Sequence, residues 1–427
     1  MADNIKVLGM PAESGRWVLV IVGMVIQLCL GAIYAYGVIR VPLTAYYKSL
    51  GLTASAMDMT WPFIVFLLLF ALTMPLAGPY IQKMGPKKVC MAGGALVGIG
   101  WIAASFATSP LMLAILYGII GGVGVGIAYG CPIAVSAQWF PDKRGLAVGL
   151  TVLGFGFSAA LIAPISDFLV ANYGGVMSAL KIFGIAFFII TVVLSQLLVV
   201  PPAGWCPAGW TAPAPKPGAA AKVDFMRSEM QKNPSFYGLW LCYTIGSLAG
   251  LTAIGIAKPV GLEVAAGAGM AVAAAGALMT SLTFPFALCN GLGRPIFGTL
   301  TDKLTPKNTA IVTYVLIIVA CLLLYTNYTS VTMYTIAFAL LWGCLGGWLA
   351  IAPTATASFF GMKDYAKNYG LVFTAYGIGA AIGGIVSAQA KDLMGGYQPF
   401  FLIVAGLAVI GIIVAFVLLK PPVKRSA

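Results

Sequence analysis

Histidine is absent from this 427-residue chain, and only 11 residues are acidic. A histidine-bearing metal enzyme and a histidine proton relay are thereby excluded, and no Cys/His spacing offers a metal its ligands. The eight cysteines are scattered singly, seven of them in apolar runs, with no disulfide framework; they read as small buried hydrophobes. GVGVG (122–126) lies inside a hydrophobic stretch rather than at a strand-to-helix turn, so it is not a nucleotide loop. With no ATP-binding motif, a primary pump is excluded. Paired intramembrane carboxylates and a serine nucleophile setting are lacking too, so no catalytic residue, metal or cofactor is assigned and an enzyme is not expected.

Charge of either sign is scarce. Charged residues make up 8% and hydrophobic residues 61%, with mean hydropathy +0.99, against roughly 25% charged in soluble domains. The apolar runs are about 20 residues long, which suits membrane-crossing helices and excludes alternating barrel strands. Fifty-two glycines suit close helix packing in lipid. Twelve spans are read, at 17–39, 60–81, 89–107, 111–138, 146–170, 176–200, 235–257, 279–301, 308–325, 331–360, 368–390 and 398–419. The fold expected is all-α, with twelve transmembrane helices in two pseudo-symmetric bundles of six.

Net charge is +13, yet its placement is topological. With the N-terminus inside, the termini and the loops on that side hold 18 of the 24 Lys/Arg, and the opposite side holds five. That is the positive-inside pattern with both termini cytoplasmic, and it argues against nucleic acid as a partner. The polar N-terminus leads into a span too long for a signal-peptide core, so no cleavage is expected.

Arg294 is the remaining charge. It is the sole ionisable residue of the run Met279–Thr301, and Asp302 follows eight residues on. At ~1.5 Å per residue Arg294 lies roughly 12 Å inside the helix end. A charge at that depth costs a few kcal/mol, so it faces a cavity and needs a partner. No acidic residue is an obvious one, which points to a small anion.

Residues 201–234 are rich in Pro and Ala before turning charged, and divide the chain into bundles 1–200 and 235–427 joined by a loose cytoplasmic linker. A short surface helix is expected over Val223–Lys232. The halves are related: TMPLAGPYIQKMGPKK (73–88) aligns without gaps on GRPIFGTLTDKLTPKN (293–308), placing Arg294 opposite Met74. Two parallel six-span repeats suggest a carrier whose central cavity opens alternately to either side.

The loops Gly78–Lys88 and Gly298–Lys307 resemble the cytoplasmic signature of the major facilitator superfamily. The segments GVGVGIAYG, QWFPDKRGLAVG, DFMRSEMQKNPSF, NGLGRPIFG and AKNYGLVF together resemble its oxalate/formate antiporter branch, to which monocarboxylate transporters are related. The resemblance implies a gate at the loop charges Asp302, Lys303 and Lys83, with Asp142 and Arg144 of PDKRG beside them. It places Arg294 at the family's substrate-binding arginine, with Asn290 one turn away on the same face. A guanidinium fork suits a carboxylate. Tyr34 of GAIYAYG, Tyr129 of GIAYG and Phe373 are implied as cavity walls, and Trp348 as a substitute in span ten. Oxalate-specific members carry a lysine in span eleven where this chain has Tyr376. One central positive charge balances a monoanion, so formate, lactate or pyruvate is favoured over oxalate. Oxalate/formate exchange is the rival reading, and a carboxylate sensor the rival of another class. Exchange and proton symport both stand, with the substrate anion, a proton and the bilayer as partners. The location expected is the inner membrane, and the carrier is expected to work as a monomer.

Overall fold

Twelve helices long and apolar enough to cross a membrane are present among the described residues. In chain order they are Ala12–Ser49, Trp61–Met84, Pro86–Ala104, Pro110–Trp139, Arg144–Asn172 and Gly175–Ser195, then Pro234–Gly267, Val272–Leu304, Pro306–Thr326, Val331–Phe360, Tyr365–Met394 and Gln398–Leu418. They are called spans one to twelve. This is a multi-pass membrane protein. The computed structural model describes residues 5–202, 204–210, 224–362 and 364–422. The Pro-rich centre of the linker (211–223), with Lys216, Lys222 and Val223, lies outside the described residues, as do Lys363, Lys424 and Arg425.

The internal repeat is visible in the backbone. Span two ends at Gly85 with φ 83° and ψ 154°, and Pro86 starts span three. Span eight ends at Thr305 with φ 87° and ψ 152°, and Pro306 starts span nine. The two turns match to within a few degrees at positions the alignment pairs. Proline at the first helical position costs nothing there, because that N–H has no helical partner in any case.

Several spans run further than hydropathy suggests. Span seven continues past Lys258 and Glu263 to Gly267, where the sequence places a loop. The extension is tolerated because both charges are paired: Lys258 with Asp167, and Glu263 with Lys391. Span one is interrupted by a 3-10 turn at Gly31–Ala35, and span four carries wider π-type pairing over Ala114–Gly121. Such breaks free backbone groups that buried side chains can take up. Gln27 of span one bonds the backbone of span four beyond its π-type stretch, its amide Nε2 donating to the carbonyl of Tyr129 at 2.9 Å.

The first six spans meet the last six along three seams: span two on eleven, five on eight, and one on seven. The ends of the linker are each tied to one side. Trp205 packs edge-on against Trp139 at 4.7 Å and beneath Arg16, while Ala208 N–H donates to Glu13. At the other end Phe225 exchanges hydrogen bonds with Phe360 and Asn368, and Asp224 accepts from Met362 N–H. The surface helix is a single turn, Arg227–Met230, shorter than expected.

Candidate anion-binding site

Arg294 lies ten residues before the end of span eight and is 5% exposed. Its Nη1 donates to the carbonyl of Val152 in span five at 2.6 Å. Its Nε and Nη2 are buried and make no hydrogen bond of good geometry, although the Tyr129 side chain lies close by; no carboxylate lies within ion-pair distance of it among the described residues. Gly156, one turn above Val152, lets the guanidinium approach: a Cβ there would stand 3.1 Å from Nη2 and 2.7 Å from Asn290 Oδ1. A side chain at 156 would occupy the space in front of the fork.

A cavity of about 650 Å³ reaches Arg294 from the face that carries the chain termini. Gln82, Gly85, Gln138 and Arg144 stand at its mouth, and Met74, Tyr129, Val152 and Arg294 lie deeper. Met74 and Arg294, equivalent in the repeat, both line it. Arg144 and Arg294 are its two cationic linings, and no acidic side chain lines it among the described residues.

Beyond Arg294 the path is closed by an aromatic layer drawn from both halves. Tyr129 meets Phe70 and Phe155 edge-on at 5.1 and 5.3 Å and stacks on Phe373 at 6.2 Å. Phe373 stacks on Tyr376 at 5.0 Å, and the Tyr376 and Tyr34 hydroxyls share a hydrogen bond of 2.7 Å. Edge-to-face and offset contacts at these distances are favourable ring geometries.

The sequence-derived site residues therefore fall in three places. Arg294 and Tyr129 line the cavity. Tyr34, Phe373 and Tyr376 form the layer behind it rather than the cavity wall. Trp348 belongs to neither: it is fully buried in the last six spans, stacked on Tyr243 at 5.9 Å and against Tyr314 at 5.6 Å. Asn290 is fully buried at the guanidinium, but its amide Nδ2 is committed to the Trp342 carbonyl at 2.9 Å, so it presents Oδ1, an acceptor, to that space. Tyr365 and Tyr369 also line the cavity, beyond the residues to which the family resemblance points. Their spacing with Phe373, each four residues apart, is a helical stripe that would have shown them.

The gate residues also divide. Asp302, Lys303 and Lys83 are exposed and make no ion pair among the described residues. Arg144 stands free at the cavity mouth, across from Tyr365. Asp142, grouped with the gate residues from the sequence, is paired within its own half with Arg16, with bonds of 2.7 and 3.1 Å. Burial pushes the Asp142 carboxyl up, but the Arg16 bonds, its own backbone and the neighbouring positive charges outweigh this and hold it below the ordinary value.

The family model of the Major Facilitator Superfamily matches residues 24–260 and 239–427. The chain belongs to this superfamily. It is 30% identical over 337 residues to the oxalate:formate antiporter of Oxalobacter formigenes, covering 78% of this chain and 75% of that one. It is 28% identical over 165 residues to monocarboxylate transporter 13 of Rattus norvegicus, covering 38% and 37%. Among solved structures, a bacterial homologue of the human lysosomal transporter Spinster superposes with a TM-score of 0.71 at 16% identity, covering 97% of this chain and 99% of the other. This member of the superfamily is a transporter related to both the oxalate/formate antiporters and the monocarboxylate transporters.

Proposed function

We propose that the protein is a secondary carrier of small organic monocarboxylates of the formate, lactate or pyruvate kind, working by alternating access between its two six-span halves. The observation that carries this reading is Arg294: a buried guanidinium with two donor nitrogens unpartnered, at the deep end of a cavity open to one face. A carboxylate accepts from such a fork through two oxygens and compensates the charge at once. Asn290 Oδ1 beside the fork favours a ligand that also brings a donor, such as a hydroxyl. Arg144 stands at the mouth, so one positive charge serves the deep site, which balances a monoanion better than oxalate.

The terminal face is assigned to the cytoplasm of the inner membrane by the loop-charge asymmetry, and the conformation is then inward-facing. With no acidic side chain lining the cavity, the coupling options are exchange, in which an anion on Arg294 permits closure, and symport with a proton carried by the substrate.

The test is counterflow of labelled formate, lactate, pyruvate and oxalate in proteoliposomes holding this protein alone. Removing one partner of a buried charge interaction costs about 2–5 kcal/mol, so Arg294→Ala is expected to lose at least about 30-fold in monocarboxylate flux. Oxalate flux exceeding monocarboxylate flux would replace this reading with oxalate exchange. Saturable binding without flux would indicate a sensor.

A further inference from the structure

On the face opposite the termini, a buried lysine and threonine of the last six spans hold a carboxylate of the first six. Lys258 of span seven is 6% exposed, and its Nζ donates to both carboxylate oxygens of Asp167, at 3.0 and 3.2 Å. Thr280 of span eight, also 6% exposed, accepts from Lys258 Nζ at 2.6 Å and donates to Asp167 Oδ2 at 2.6 Å. Lys258 and Thr280 belong to the last six spans, whereas Asp167 sits near the end of span five in the first six. Thr280 is 14 residues before Arg294, roughly 20 Å further along span eight at ~1.5 Å per residue.

The ammonium and the hydroxyl travel together when the halves rock apart on this face, and Asp167 departs with the other half. What is left is an ammonium and a hydroxyl donor already arranged around a carboxylate, with the carboxylate removed. An unpaired ammonium on the apolar wall of an opening cleft concentrates anions there, and a substrate carboxylate can take the place of the one lost. We infer that Lys258 and Thr280 form a staging site for the carboxylate of the incoming substrate in the outward-open state, and that Asp167 closes the site when the halves return. This rests on the carrier reading above, yet the two can fail separately.

The first measurement is made in Asp167→Asn, where Lys258 keeps its position without its counter-ion. Acylation of Lys258 by an impermeant amine reagent from the opposite face, read by mass spectrometry, should be slowed by formate or lactate. Protection should persist when Arg294→Gln is added, since the deep arginine is not part of this site. Labelling that the anions leave unchanged overturns the inference, whatever the protein transports. Transport then gives a sign. Breaking a latch alone raises the outward-open population and lowers the apparent KM from that face. Asp167→Asn should do that, whereas Lys258→Gln should raise it by about tenfold and leave the KM from the terminal face unraised, with Lys258→Arg restoring the wild-type value. A lowered KM in Lys258→Gln would reduce the pair to a latch and overturn the staging role. Absence of carboxylate flux in the wild type would strike the carrier reading and leave the protection result to decide the site.

Discussion

Arg294 and Thr305, eleven residues apart on the same helix and its following turn, are strained in different senses. Arg294 carries an electrostatic debt that a ligand can relieve. Thr305 carries a conformational one that nothing relieves: φ 87° with ψ 152° is a region used almost solely by glycine and costs of order 1–3 kcal/mol. The paired turn in the first half has Gly85 at this point. Thr305→Gly should remove the strain and return some of it as unfolded-state entropy, roughly 0.5–1 kcal/mol. The net expectation is a gain of about 1 kcal/mol, read as a higher midpoint of thermal unfolding in detergent, with flux unchanged. A lower midpoint would mean that the Thr305 side chain or backbone does work the turn geometry does not reveal. At Arg294 the discriminating substitution is lysine, which keeps the charge and loses the fork. A fall in affinity of about tenfold or more is expected for Arg294→Lys, measured by substrate-protected thermal stability, since a point charge cannot reproduce two parallel donors.

Spans eight and ten hold the arginine in place through glycine contacts. A Cβ at Gly346 would stand 2.0 Å from the carbonyl of Asn290, and one at Gly293 would stand 2.2 Å from the carbonyl of Gly343. Backbone meets backbone, so no side chain can yield. Gly346→Ala should separate the spans at the level of Asn290, costing about 1–3 kcal/mol as overpacking does, and break the Asn290–Trp342 bond that orients the amide. Lower stability together with weaker anion binding is expected; a stability loss with unchanged binding would show that span ten does not position the site. Elements of this kind explain what was legible in advance. The spans, the repeat and Arg294 are local signals: long apolar runs, a gapless match, one charge in the wrong place. The partner of Asp142 is not legible locally because Arg16 is 126 residues away, and the helical continuation through Lys258 is not legible because Asp167, which pairs with it, is 91 residues away. The burial of Trp348 away from the cavity is not legible in sequence because helix rotation, set by packing on Tyr243 and Tyr314, is not encoded in its own neighbourhood.

At the scale of the whole molecule, polar contacts between the halves are distributed unevenly. Among the described residues they lie at Arg294–Val152 and Tyr34–Tyr376 in the middle, and at Asp167–Lys258 and Asp392 on the face opposite the termini. Asp392 of span eleven accepts the N–H groups of Ala56 and Met57, at 2.9 and 3.0 Å, from the turn that leads into span two. On the terminal face Lys83, Arg144, Asp302 and Lys303 make no ion pairs among the described residues, and Arg144 lines the mouth of the cavity. An open face and a tied face are the two ends of one rocking motion, so loosening the tied face should populate the other state. Asp392→Ala removes two charge-assisted bonds at an exposed site, worth together about 1 kcal/mol after solvent screening. The outward-open fraction should then rise about fivefold. Ile254→Cys reports this fraction: Ile254 is fully buried in span seven, with its backbone against Gly37 of span one. In a Cys206→Ser background, which removes the exposed thiol, its labelling by an impermeant maleimide from the opposite face should quicken about fivefold when Asp392→Ala is added. Labelling that does not change would mean that the Asp392 contacts are re-formed by water at no net cost, and that the balance between the two faces is held by the Asp167–Lys258 pair and the aromatic layer instead.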